Sequence, residues 1–404
     1  MKHVRIPICI CITLCCLLPL ACGEGGAAPA PAAEIPTEAS AATPAPEDEV
    51  VIAATEIPTE APTPQPTEPP TEPPTEAPTA TPAPAVTLHV QEPTDADALS
   101  ERIAASGSVA SVEIDDGTVS NEDLAVLLAA FPDVSFRYAV KLGDAYVPCD
   151  AAELNLSGTK IADPESLKRI IALLPELDRV EMIGCGLDNA ASAELCDAFP
   201  GIRFIWEINL GYWGKLRTDA TAFSTRYSRS ETADKNRMTS EKAQYIRYCT
   251  DLVALDLGHQ KLDDISFLRP LKKLRVLILA DNYISDIGVL SELTELEYIE
   301  LFMNRITDLS PLAGLTHLCD LNVCSNRISD FRPVCSIQTL QRFWYAANKA
   351  GKKDREMLEQ ALPDCVLNHK DTGTDGGWRY VKGKERSERE KWKNAFFEGA
   401  PRFE

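Results

Sequence analysis

From Leu252 to Asn348 the chain repeats itself every 22 residues. Leu255, Leu277, Ile299, Leu321 and Phe343 form one column, and Leu257, Leu279, Leu301, Val323 and Tyr345 form the next. Three residues further on stand Gln260, Asn282, Asn304, Asn326 and Asn348. Leu262, Ile284, Ile306 and Ile328 follow, and then Asp264, Asp286, Asp308 and Asp330. Two aliphatics separated by one residue have strand periodicity, so both point to the same side. The Asn suits a tight turn off that strand, because its amide both donates to and accepts from backbone groups the turn leaves unpaired. One such unit cannot offset the entropy of ordering its own backbone. Copies must stack around a shared interior, giving a solenoid with atypical ends.

The pattern L-x-x-L-x-L-x-x-N-x-I at this period is that of leucine-rich repeats. Leu293 to Gly314, LTELEYIELFMNRITDLSPLAG, resembles the bacterial internalin-type repeat. The resemblance covers about a quarter of the chain. It implies an α/β fold: a curved solenoid whose parallel strands line a concave side, the side with which that family commonly binds a partner protein on a cell surface. Gln260 in the first repeat and Phe343 and Tyr345 in the last depart from the pattern at its two ends.

Residues 1–22 read as a targeting segment. Lys2 and Arg5 precede an apolar run, Ile6 to Leu20, too short for a membrane-spanning helix. Leu18-Pro19-Leu20-Ala21-Cys22-Gly23 resembles a bacterial lipoprotein signal, which implies lipidation at Cys22, although Pro19 departs from the aliphatic residue usual there. An ordinary cleaved secretory signal is the alternative. Residues 23–85 contain no Lys, Arg or aromatic residue and are dominated by Pro, Ala, Thr and Glu. Such a segment reads as a disordered, extended stalk, because it cannot bury enough apolar surface to fold. Its eleven acids supply about half of the net charge of −21. Nucleic acid is excluded as a partner on charge, since that binding rests on phosphate neutralisation.

Residues 86–250 read as an irregular α/β repeat region with an internal duplication at 68 residues. Ser111-Val112-Glu113-Ile114 returns as Arg179-Val180-Glu181-Met182, and Phe131-Pro132-Asp133-Val134 returns as Phe199-Pro200-Gly201-Ile202. Each copy predicts a short strand and an amphipathic helix (Asn121 to Ala130; Ala190 to Ala198). An alternating strand then follows, through Val134, Phe136, Tyr138 and Val140 or through Ile202, Phe204, Trp206 and Ile208. Leu154-x-Leu156-x-x-Thr159-x-Ile161 and Val180-x-Met182-x-x-Cys185-x-Leu187 fit the strand and turn of the same motif and resemble the longer ribonuclease-inhibitor-type repeats. The block is either continuous with the solenoid or a small domain docked on its edge. Arg217 to Thr225 predicts another strand, Arg226 to Arg237 an exposed loop, and Thr239 to Cys249 a helix capped by Thr239 and Ser240. The repeats occupy 251–348. In 349–404 a closing helix (Asp354 to Ala361) and a last strand (Cys365 to Leu367) precede a tail with Trp378, Tyr380, Trp392, Phe396 and Phe397, read as a cap.

Little points to catalysis. His89, His259, His317 and His369 have no metal-ligand spacing, and no nucleophile elbow or phosphate loop occurs. Eight cysteines follow Cys22; Cys185 falls at the turn position of the repeat motif and reads as core. Asp371 to Gly377 lacks the closing Glu of a calcium loop and reads as a flexible turn. The expectation is a protein without catalytic residues, metal or cofactor.

Binding is the better prospect. Strand alternation sends the residues between the buried leucines to the concave side: Asp256, Ile278, Glu300, Asn322 and Trp344 in one row, Gly258, Ala280, Phe302, Cys324 and Ala346 in the next. Val276, Tyr298, Asp320 and Arg342 lie beside them, with His259, Asp281, Met303 and Ser325 on the other flank. Tyr298, Phe302, Met303 and Trp344 are large apolar groups placed where water should reach them; the alternative is that the chain's own tail covers the terminal part, which would bury Trp344 in particular. Set among acids, they have the composition of a binding hot spot. The ligand-binding set is thus Ile278, Asp281, Tyr298, Glu300, Phe302, Met303, Asp320, Asn322, Arg342 and Trp344. The expected partner is a protein on a cell surface or in the envelope, and a glycan stacked on the aromatics is the second reading. The expected location is the extracellular face of a bacterial membrane, held by the lipid on Cys22, or secreted if Cys22 is not acylated.

Overall fold

The computed structural model describes residues 86–225 and 230–370. The signal segment with Cys22, the stalk, the turn at Asp371 to Gly377 and the aromatic tail lie outside the described residues.

The first copy of the duplication runs β1 (Val86–Val90), α1 (Ala96–Ala105), β2 (Val109–Ile114), α2 (Asn121–Ala130) and β3 (Ser135–Arg137). Its three strands form a parallel sheet in the order β1-β2-β3. A hairpin of β4 (Ala139–Leu142) and β5 (Ala145–Pro148) follows. The second copy runs β6 (Glu153–Asn155), α3 (Pro164–Ile171), β7 (Arg179–Glu181), α4 (Asn189–Ala198) and β8 (Arg203–Ile205), again a three-stranded parallel sheet. It too ends in a hairpin, β9 (Glu207–Asn209) with β10 (Lys215–Arg217).

Local chemistry sets these helices. Asp95, Ser120, Asp163 and Asp188 each accept a backbone N–H of the first turn, satisfying donors a helix start leaves orphaned. One clasp is duplicated to the atom. The Asn121 side chain donates to the Lys141 carbonyl and accepts the Lys141 N–H, and Asn189 does the same with Asn209.

The single alternating strand expected in each copy is in fact two. The chain leaves the parallel sheet at Tyr138 and at Trp206 to enter the hairpin. There Cys149 N–H donates to the Tyr138 carbonyl, and Thr218 N–H to that of Trp206. Alternation continues through the break because both strands bury the same side, so the period alone does not show the change of partner.

From β11 (Ala222–Ser224) the pattern changes to one seven-stranded parallel sheet. α5 (Glu231–Lys235) and α6 (Ser240–Ala243) intervene before β12 (Ala254–Asp256), β13 (Val276–Ile278), β14 (Tyr298–Glu300), β15 (Asp320–Asn322) and β16 (Arg342–Trp344). α7 (Lys352–Ala361) then leads to β17 (Val366–Asn368). Leu277 pairs with Ile299, Ile299 with Leu321 and Leu321 with Phe343, so the register follows the 22-residue period. The sheet extends one strand beyond the periodic residues at each end.

The helix expected from Thr239 to Cys249 is short. After α6 the chain tightens into a 3₁₀ turn over Gln244–Tyr248, and Thr239 makes no side-chain cap. Ser240 Oγ is used elsewhere, donating to Asp263 at 2.6 Å. Within the expected loop, Ser230 caps α5 by accepting the Ala233 N–H.

Each rung is closed by its Asn. Asn304 Nδ2 donates to the carbonyls of Leu279 (2.9 Å) and Leu301 (3.1 Å), while its Oδ1 accepts the Ile284 N–H (3.1 Å). Asn282, Asn326 and Asn348 repeat this one rung apart. The aspartate column opens the return path. Asp264, Asp286, Asp308 and Asp330 each accept the N–H two residues on, starting the 3₁₀ turns at Ser266–Leu268, Gly288–Glu292, Ser310–Leu312 and Arg332–Ser336.

The interior is continuous. One apolar core runs from Val90 through Leu195, Leu279 and Leu321 to Leu362. The duplicated block therefore shares the core of the repeats but not their sheet. At the last rung Phe343 stacks on Tyr345 with ring centroids 4.9 Å apart, and Phe331 packs on both.

Candidate functional site

The face of the seven-stranded sheet turned away from this core carries seven of the ten predicted residues. Ile278, Tyr298, Glu300, Asp320, Asn322, Arg342 and Trp344 lie in β13 to β16, and Phe302, Asp281 and Met303 just beyond the strand ends.

Their exposure departs from expectation. Of the four large groups expected to meet water, Met303 does (45% exposed), Tyr298 and Phe302 are half-buried, and Trp344 is buried at 5%. Ile278, Glu300, Asp320 and Asn322 are buried as well. Trp344 packs with Cys324, Ala346 and Phe302 of the neighbouring row, and the Arg342 guanidinium lies 4.8 Å from its ring centre. Its indole Nε1–H is buried without an acceptor among the described residues. At the other end Ala222, Ala254, Val276 and Tyr298 form a second small apolar cluster.

Charged groups run between the two clusters. Arg342 pairs with Asp320, and the Tyr298 hydroxyl donates to Glu300 Oε2 at 3.2 Å. Burial first, and the neighbouring Glu300 and Asp320 carboxylates second, push the Tyr298 phenol well above its ordinary value. Asp256 Oδ2 accepts from Ser224 Oγ at 2.6 Å and Oδ1 from Gly258 N–H at 3.0 Å. On the flank, His259 Nδ1 lies 3.0 Å and Arg237 Nη2 3.5 Å from Asp281 Oδ2. Sequence reasoning placed Arg237 in an exposed loop; its contact with a residue 44 positions away leaves no trace in local pattern.

One backbone feature marks the same flank. His259, Asp281, Met303, Ser325 and Ala347, each just before the ladder residue, all have a left-handed backbone, with φ between 52° and 62°. This conformation costs about 1–2 kcal/mol for a residue with a Cβ.

Cys149, Cys185, Cys196, Cys249, Cys319, Cys335 and Cys365 form no disulfide. Burial pushes Cys196 up to about 12 and Cys319 and Cys365 to about 11, the reverse of what a nucleophilic thiolate needs. Cys185 sits at the ladder position as expected, its Sγ 3.0 Å from the Leu156 carbonyl. Among the described residues no group of three or more His, Cys, Asp or Glu side chains could hold a metal ion.

Residues 272–314 match the family model for leucine-rich repeats in two copies. These are leucine-rich repeats. No curated protein matches the chain significantly. Among solved structures, an internalin C2 of Listeria monocytogenes is 20% identical over 38% of this chain and 74% of its own, with a TM-score of 0.28. An internalin F of the same organism is 18% identical over 65% of this chain and 74% of its own, with a TM-score of 0.30. The BIR2 ectodomain of Arabidopsis thaliana is 20% identical over 27% of this chain and 62% of its own, with a TM-score of 0.23. No helix among the described residues is long and apolar enough to cross a membrane.

Proposed function

We propose that this is a lipid-anchored surface protein whose leucine-rich repeat sheet binds a protein partner through the concave face, without catalysis of its own. The observation that carries the reading is the pair of apolar clusters on the face the main core does not use. A solenoid needs no Trp344, Phe302 or Tyr298 there, since its interior is filled from the opposite side. Buried aromatics ringed by polar groups are the composition of a binding hot spot. Trp344 Nε1 adds a requirement: a buried donor without a partner is costly, so the ligand should bring a carbonyl or carboxylate oxygen to it. The run of left-handed residues supports the same side. Strain held at Met303 and Asp281 keeps side chains on the flank of the face where glycine would relieve it.

A glycan fits less well. Sugar stacking uses an open ring, whereas Trp344 is buried with Arg342 over its ring. The surface location and anchor rest on residues 1–22 and on the Pro- and Thr-rich spacer.

The test is affinity for a partner isolated from native surroundings, measured on the intact ectodomain. Phe302→Ala and Met303→Glu should each weaken binding about 30-fold, the scale of a hot-spot residue, with the circular dichroism unchanged. Binding untouched by both substitutions places the partner elsewhere, and selective binding on a glycan array favours the second reading. For the anchor, metabolic incorporation of a fatty-acid analogue should be lost in Cys22→Ser.

A further inference from the structure

The two copies of the duplication differ where a helix, a turn and a hairpin meet. In the first copy Leu124 of α2 is buried in the core, and the Tyr146 hydroxyl of β5 lies over the turn at Gly117, 2.5 Å from where a Cβ would stand. In the second copy the counterpart of Leu124, 68 residues on, is Ser192 of α4. Tyr146 pairs with Lys141 across its hairpin, and in the second hairpin the residue paired with the equivalent Asn209 is Lys215. The Lys215 amine is bound to Glu207 at 2.8 Å. A large aliphatic and an aromatic ring thus give way to a hydroxyl and a tethered amine, and a cleft of about 720 Å³ opens there. It lies between the start of α4, the β9–β10 hairpin and α6, with the turn at Cys185 along it.

Two groups lining this cleft want a partner. Ser192 is 3% exposed, and its Oγ makes no hydrogen bond with a described residue. A hydroxyl so far from bulk water is costly unless something bonds to it. Lys242 of α6 forms no ion pair with a described residue, and its Nζ stands over the hairpin turn, 2.6 Å from where a Cβ of Gly211 would be. The other charges of the lining are accounted for. Lys215 and Glu207 neutralise each other, and the Asp188 carboxylate accepts the Ala191 N–H at the positive end of α4. One cation is left over among the lining residues, beside the apolar walls of Leu187, Trp206 and Tyr245.

We infer that this cleft binds a small organic carboxylate, with its anionic end at Lys242 and its apolar body against Leu187, Trp206 and Tyr245. The Ser192 hydroxyl is the second polar anchor. A single uncompensated lysine matches a single carboxylate, and the charge-assisted bond between them is the strong contact. Inorganic phosphate would bring more charge than the cleft offsets and nothing for its apolar walls. The first copy, with Leu124 and Tyr146 in the equivalent places, offers neither the hydroxyl nor the free amine. The concave face of the repeats plays no part in this site, so it stands or falls apart from the proposed partner.

The full chain is titrated with phenylacetate and with indole-3-acetate, and binding is read by saturation-transfer NMR. Both acids should bind saturably, and their uncharged amides about tenfold more weakly. Ser192→Leu, which installs the first copy's residue, should abolish binding of both acids with the circular dichroism unchanged. Lys242→Gln alters an exposed side chain and leaves the fold alone, and it should bring the acids to the affinity of the amides. Absence of saturable binding to the unaltered chain overturns the inference, and so does equal binding by the unaltered chain and Lys242→Gln. Displacement of the acids by an equal concentration of inorganic phosphate would make this a general anion site and overturn the carboxylate assignment.

Discussion

The duplicated block and the 22-residue repeats meet the same problem where a strand turns onto its return path, and answer it with different residues. In both, the chain turns off the strand through one left-handed residue followed by a ladder residue. In the block the left-handed residue is glycine, Gly158 before Thr159 and Gly184 before Cys185. In the repeats it is His259, Asp281, Met303, Ser325 or Ala347, before Gln260 or Asn. The hydrogen bonds are equivalent: Gly158 N–H donates to the Ile183 carbonyl as Asp281 N–H donates to that of Phe302. The block takes the conformation at little cost and closes its turn weakly, through one thiol at Cys185. The repeats accept backbone strain and hold it with a full amide ladder. The difference teaches where each region places its strength: in the block in capped helices and hairpins, in the repeats in the turn itself.

The ladder should therefore be the point at which the two regions diverge most. Asn304→Ala strands the Ile284 N–H and the Leu279 and Leu301 carbonyls at a buried site. It should cost about 3 kcal/mol, since each buried unsatisfied group costs about 1–3 kcal/mol and such losses do not simply add. Cys185→Ala removes one weak donor from the equivalent place and should cost about 1 kcal/mol. Urea denaturation of the two variants checks this, and equal losses would erase the distinction between the regions.

A smaller effect tests what the regions share. The Cys196 thiol in α4 is pushed up to about 12 and that of Cys319, just before β15, to about 11, burial being the first cause in each. Folded values raised above the unfolded one mean stability that is complete below about pH 9 and lost as pH rises toward 11 or 12. Between pH 8 and pH 10 each thiol should remove about 1 kcal/mol. Cys196→Ala and Cys319→Ala should each flatten the alkaline limb of the stability curve by that amount. A flat limb in only one of them would mean that the thiol in the other region opens to water before it ionises.

What the sequence discloses follows from what is periodic. The register of β12 to β16, the Asn ladder and the helix ending at Ala130 are each set by contacts within a repeat or between copies. The aspartate column was visible, but its work in opening the 3₁₀ turns was not, because the period gives the position of Asp286 and not the Gly288 N–H it accepts. The site divides the same way. Alternation gives the side on which Ile278 and Trp344 stand. It says nothing of what stands against that side. Hence Trp344 is buried where exposure was one of two expectations, and Arg237, read as part of an exposed loop, reaches the flank.

The smallest effect is the sharpest test of the comparison, because it changes sign between the regions. Gly184 has φ of 70°, and a Cβ built there meets nothing within 4 Å, so Gly184→Ala adds conformational strain and no clash. It should destabilise by about 1 kcal/mol. Ala347 has φ of 53° in the last repeat, and Ala347→Gly releases comparable strain. Part of that release is offset, because glycine also loosens the unfolded chain, leaving a gain of about 0.5 kcal/mol. Met303→Gly should gain similarly in stability while losing a well-exposed apolar group on the flank of the face, so thermal midpoint and partner affinity should move in opposite directions. If Ala347→Gly instead lowered the thermal midpoint, the left-handed residues of the repeats would not be strained, and the argument that they are held for the side chains they display would fall with it.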